Sequence, residues 1–191
     1  YGVRIRYKDA TAEGRVRVLT DPRFNLSAAD RQAKMDILLS AGGLQETVTE
    51  AVNRVRDTRS AIDIVLNKIN QKDGEEEKKA LQELKKAARQ VKKALDETAR
   101  KLWIPPDTKG IPHRDDLRSR VGYVLRSLGS SWDKPTSAQL AYLRQAREEA
   151  ARRLEKVNQL FTGPVEDFRR QVKEAGIELL PEREPLIVKN Q

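Results

Sequence analysis

The sequence predicts a mainly α protein, an antiparallel four-helix bundle of long amphipathic helices preceded by a β-hairpin. Three observations carry this expectation. Apolar residues recur alternately four and three positions apart from Ile37 to Ile69, the spacing of a long helix with one face committed to other helices. Three further amphipathic runs follow, separated by short breaker-rich stretches. The first eight residues alternate apolar with polar, the period of a strand.

Tyr1, Val3, Ile5 and Tyr7 alternate with Gly2, Arg4, Arg6 and Lys8, so one strand face is expected to be buried. A polar turn over residues 9–14 and renewed alternation over residues 15–18 complete the hairpin. Because an isolated hairpin is marginal in water, its strands are expected to lean on the helices or to join a sheet outside this sequence. The start at Tyr1, inside a strand, leads us to expect an upstream segment. Asp21-Pro22 ends the second strand, since proline has no ladder donor.

Ser27 is a suitable N-cap for the first helix, with Asp30 in its first turn. That helix is expected to run to about Gln71. Its stripe is Ile37, Ala41, Leu44, Val48, Ala51, Val55, Thr58, Ile62, Val65 and Ile69. Gly42-Gly43 falls inside it without breaking the phase, which predicts a continuous helix or mild kink and a close neighbouring backbone. After a turn at residues 72–74, the second helix opens with Glu75, Glu76 and Glu77 and ends with Arg100 and Lys101, matching the helix dipole. Its stripe is Leu81, Leu84, Ala88, Val91, Leu95, Thr98 and Leu102. A loop over residues 104–112 leads to a shorter third helix carrying Leu117, Val121, Val124, Leu125 and Leu128. Thr136 caps the fourth, whose stripe is Leu140, Leu143, Ala150, Leu154, Val157 and Phe161. Gly163-Pro164 is expected to bend or break it before Val165, Phe168, Val172 and Ala175 continue the apolar face to a C-cap at Gly176. An up-down-up-down order follows from the short loops. The strongest core assignments are Leu44, Val55, Ile62, Leu84, Val91, Leu154 and Phe168. Residues 1–24 are thus read as the end of a truncated β domain, 25–177 as the bundle and 178–191 as an extended tail in which Leu186, Ile187 and Val188 dock.

Composition narrows the function classes. The 191 residues contain no cysteine, which excludes disulfides, zinc–thiolate sites and cysteine nucleophiles. No apolar run reaches the roughly 20 residues of a membrane-spanning helix. The net charge of +9 is spread thinly and is densest over residues 85–101.

An aromatic-Gly-Val-Arg strand at the start, the run Val18-Leu19-Thr20-Asp21-Pro22-Arg23 and long helices with a later Pro135-Thr136 cap resemble the C-terminal region of bacterial exported β-propeller proteins. That family carries sortilin-like or BNR repeats and is often labelled glycosyl-hydrolase-like. The resemblance implies a bacterial protein exported to the periplasm, cell surface or exterior, with this chain as a non-catalytic appendage. The family's repeats lie outside the sequence, so the resemblance assigns no site residue.

No catalytic, cofactor or metal site is expected. His113 is the single histidine, with Asp107, Asp115 and Asp116 near it in sequence, but Asp115 and Asp116 read more simply as first-turn carboxylates of the third helix. The acidic pairs elsewhere sit among lysines and arginines at helical spacing, as solvated faces do. Two features point to partners. Lys85, Lys86, Arg89, Lys92 and Lys93 form a basic ridge suited to a polyanion such as nucleic acid, although no aromatics interleave for base stacking. Trp103 and Trp132 fall at helix ends, where an indole either caps the bundle or anchors a partner. The leading expectation is a structural or protein-interaction module bound to a protein partner or to upstream β domains of the same polypeptide. A nucleic-acid-binding helical arm is the alternative. A stripe this long also closes against a second copy, so a homo-oligomer stays open.

Overall fold

The computed structural model describes residues 1–19, 21–71, 81–105 and 115–177. Its order is β1 (Gly2–Tyr7), β2 (Ala10–Arg15), α1 (Ala28–Asn70), α2 (Gln82–Leu102), α3 (Leu117–Gly129), α4 (Ser137–Leu160), a π-helical turn (Phe161–Val165) and α5 (Glu166–Glu174). The protein is mainly helical, with a two-stranded antiparallel hairpin ahead of a bundle.

The hairpin turns earlier than its sequence suggests. Tyr7 pairs with Ala10, leaving Lys8 and Asp9 as the turn, with Lys8 in the left-handed region at φ 51°. Residues 10–14, expected as turn, are strand. Ala10, Ala12 and Gly14 have little strand preference of their own; pairing with β1 imposes their conformation. Neither strand is buried, so the expected covered face and the support from the helices are both absent among the described residues.

Ser27 caps α1 as expected, its hydroxyl oxygen accepting from the Asp30 amide at 3.0 Å. Along the 43 residues of α1, about 65 Å, Ala41, Val48, Ala51, Val55, Ile62, Val65 and Ile69 are buried, while Ile37, Leu44 and Thr58 are half-buried. The helix continues through Gly42-Gly43. A Cβ at either glycine would meet nothing within 4 Å, so among the described residues no neighbouring backbone explains them.

The remaining helices share out the length of α1. Lys92 of α2 pairs with Asp63, and Arg59 with Asp96 at 2.9 Å, an antiparallel pairing in which one helix descends as the other rises. The α2 stripe of Leu84, Ala88, Val91, Leu95 and Leu102 is buried there. Beyond it α3 packs on the N-terminal half of α1, running from the level of Arg56 to that of Lys34. At 21 and 13 residues, neither α2 nor α3 is long enough to match α1. They lie in tandem, and the order is up, down, down, up, replacing the expected alternation. The fourth rod, α4 through α5, returns along the bundle to pack on α2.

Thr136 and Gln139 form a capping box at the start of α4. Leu143, Ala146, Ala150, Val157 and Leu160 make the buried stripe. Leu140, assigned to the core from sequence, is exposed, and Leu154 and Phe161 are half-buried; the true seam runs through the small Ala146, which the sequence reading passed over. Pro164 does not break the rod. Its missing N–H and its ring would conflict with an α-helical carbonyl four residues back, and the wider π turn accommodates it. Phe168 is buried on α5. Gly176, at φ 60°, closes α5 in a Schellman motif, with Ile177 N–H donating to the Val172 carbonyl at 3.3 Å and Gly176 N–H to that of Lys173 at 3.1 Å.

The acidic opening of the second helix at residues 75–77, the 72–74 turn, His113 with Asp107, and the 178–191 tail lie outside the described residues. Among the described residues no helix is long and apolar enough to cross a membrane.

Candidate interaction surface

The two tryptophans occupy different environments. Trp103 follows α2, its amide donating to the Ala99 carbonyl at 2.8 Å. Its indole is half-buried against the core, with the Arg118 guanidinium 4.9 Å and that of Arg56 5.9 Å from the ring. It roofs the junction of α2 and α3 at mid-bundle, and the guanidiniums on the ring supply attraction of the cation–π kind.

Trp132 lies in the short connection between α3 and α4 and is 77% exposed. The backbone that carries it is held firmly. Lys34 projects from α1, is itself 8% exposed, and donates from Nζ to the carbonyls of Ser131 and Asp133, both at 3.0 Å. Gln139 adds a tie from the start of α4 to the end of α3, its Nε2 donating to the Ser127 carbonyl at 2.6 Å. Phe24, in the connection from hairpin to α1, lies with its ring 6.3 Å from the Trp132 indole. Met35 and Leu39, one turn apart on α1, are also exposed. The sequence flagged Trp132 but not Lys34, whose heptad surroundings give no hint of a contact with residues nearly a hundred positions away.

The basic ridge is not a uniform cationic face. Lys92 is committed to Asp63 and half-buried, and Lys86 lies 3.9 Å from Glu83. Lys85 is half-buried, while Arg89 and Lys93 are exposed and carry no ion pair among the described residues. A second cationic region was not anticipated. Arg100, Lys101, Arg152, Arg153 and Lys156, with the carboxylates of Asp115, Glu149 and Glu155 among them, line an open cleft of about 630 Å³ between the end of α2 and α4. Arg153 holds this corner together, donating from Nε to Glu149 Oε1 at 2.5 Å and from Nη1 to the carbonyls of Lys101 and Asp115. Arg152 and then Arg153 hold the Glu149 carboxyl below its ordinary pKa by hydrogen bonding. The Glu149-to-Arg153 spacing was readable as a helical pair; the reach to α2 was not.

Asp116 is the N-cap of α3, and Asp115 precedes the helix, so neither is the expected first-turn carboxylate. Asp116 is fully buried, with Oδ1 accepting from the Ser119 amide at 2.9 Å and Oδ2 without a partner among the described residues. Asp115 pairs with Arg120 at 2.5 Å. Among the described residues no three acidic or histidine side chains converge on a common point.

No family model, curated protein or solved structure matches this chain.

Proposed function

We propose that this chain is a non-catalytic structural and protein-interaction module. Its bundle presents apolar surface to a protein partner or to the upstream β domains of the same polypeptide. The observation that carries this reading is Trp132, a bare indole on a backbone clamped by a buried lysine. Exposed tryptophan is costly to leave in water and is the residue type most enriched where binding energy concentrates. A clamped backbone reduces the ordering cost of docking. The resemblance of residues 1–23 and the helices to the C-terminal region of exported bacterial β-propeller proteins supports a larger exported protein as the setting. A photoreactive side chain at position 132 in the native host is expected to crosslink one defined protein segment, while the same group at Arg89 does not. Binding of that segment, once purified, should weaken by about 2 kcal/mol or more in Trp132→Ala. Crosslinks scattered over unrelated proteins, or unchanged binding in the variant, overturn the reading.

A second reading, polyanion binding, is favoured by the cleft at the end of α2. Arg100, Lys101 and Lys156 line it and have no ion-pair partner among the described residues. Retention on DNA that falls steeply with salt supports it; absence of retention at low salt removes it.

A further inference from the structure

The ladder assigns each hairpin residue to a face and an edge. The Val16 amide donates to the Tyr1 carbonyl, and the Tyr1 amino group to the Val16 carbonyl, both at 2.9 Å. With this register Val3–Gly14, Ile5–Ala12 and Tyr7–Ala10 are hydrogen-bonded pairs, whereas Gly2–Arg15, Arg4–Glu13 and Arg6–Thr11 are not. The backbone groups of the latter pairs point away from the ladder. Gly2, Arg4 and Arg6 therefore line the outer edge of β1, and Thr11, Glu13 and Arg15 that of β2. No third strand covers either edge among the described residues.

Side chains divide just as cleanly. Tyr1, Val3, Ile5 and Tyr7 share a face with Ala10, Ala12, Gly14 and Val16, so that face is apolar throughout. Arg4, Arg6, Thr11, Glu13 and Arg15 occupy the other. All are exposed, Ile5 at 65% and Tyr7 at 70%.

The two edges are unequal. Sheet pairing draws its stability from neighbouring side chains. Beside β2 a new strand meets two alanines and a glycine on the apolar face, with Val16 just beyond the strand end, and both charge signs on the other. Beside β1 it meets Val3, Ile5 and Tyr7 on one face and two arginines on the other. Arg4 is shared with Glu13 at 2.6 Å; Arg6 has no acidic partner among the described residues.

We infer that the outer edge of β1 accepts an extended acidic strand, a partner segment in which apolar residues alternate with Asp or Glu, added antiparallel by main-chain hydrogen bonds. Its apolar side chains widen the face of Val3, Ile5 and Tyr7, and its carboxylates lie beside Arg4 and Arg6. This rests on the docking reading and narrows one of its contacts to a single edge.

The test uses the isotopically labelled chain and two capped seven-residue peptides, one alternating valine with glutamate and the other valine with lysine. At about 1 mM, the glutamate peptide is expected to shift and protect the amides of Arg4 and Arg6 while leaving those of Thr11 and Glu13 unchanged. Arg6→Glu should change the ratio of the two affinities about tenfold in favour of the lysine peptide, with Arg6→Gln intermediate and cross-strand contacts between Val3 and Gly14 retained in both. Protection on β2, no protection at all, or equal binding of both peptides overturns the inference. Those outcomes leave Trp132 untouched, whereas loss of the defined crosslink at position 132 removes the docking reading itself.

Discussion

In the bundle, the apolar stripe from Ala41 to Ile69 is closed over by α2, α3 and α4. In the hairpin, Tyr1, Val3, Ile5 and Tyr7 are aligned just as regularly and stand in water. Both regions obey the same rule of placing apolar residues on one face. The difference lies in what the described residues supply to cover it. The stripe of α1 meets α2, α3 and α4 in turn along its length. Among the described residues the two strands have no second layer, and the ribbon shows one greasy side. Periodicity thus identifies which residues share a face, and chain topology decides whether that face is satisfied internally.

The contrast is open to direct attack. Val55→Asp or Ile62→Asp places a carboxylate where the native side chains are 1% and 2% exposed; each is expected to cost several kcal/mol and abolish the cooperative melt by circular dichroism. An unchanged melt would refute the seam. Thr136→Ala removes the hydroxyl half of the capping box and should cost about 1 kcal/mol in urea denaturation. Gly43→Ala has the opposite sign: the site is helical and open, so it should gain roughly 1 kcal/mol, and a loss would reveal a contact around the glycine pair. Glu149→Gln is smaller and pH-dependent. Since folding lowers the Glu149 pKa, its ion pairs contribute stability above the ordinary carboxylate range and lose it as pH falls through the lowered value. The variant should therefore be less stable than wild type by under about 1 kcal/mol at neutral pH and equal to it in acid; a difference that persists in acid points to packing instead. Ile5→Ser, on the bare ribbon, should change the stability of the bundle by no more than about 0.5 kcal/mol, and a larger loss would mean that the hairpin leans on the helices after all.

Local rules explain what the sequence disclosed. Ser27, Thr136 and Gly176 marked helix ends because capping depends on a few neighbouring residues, and the long α1 was legible because its heptad persists. Register and direction were harder. The β2 strand hid behind Ala10, Ala12 and Gly14, whose strand conformation comes from pairing rather than propensity. The tandem of α2 and α3 is a matter of relative lengths against α1, which loop signals do not encode. The Lys34 clamp, the Arg153 corner and the buried Asp116 depend on contacts or burial set by tertiary structure, so the surface around Trp132 was only half visible: the indole was flagged and its support was missed.

The π turn at Pro164 joins the two segments of the fourth rod without interrupting it. A wider coil takes up residues without advancing the helix by its usual rise, so α4 can align its seam with α1 and α3 while α5 aligns Phe168 with α2. Removing one residue from this turn is therefore expected to restore an ordinary α turn and leave Phe168 facing the core, whereas a deletion within α4 itself would rotate everything beyond it by about 100°.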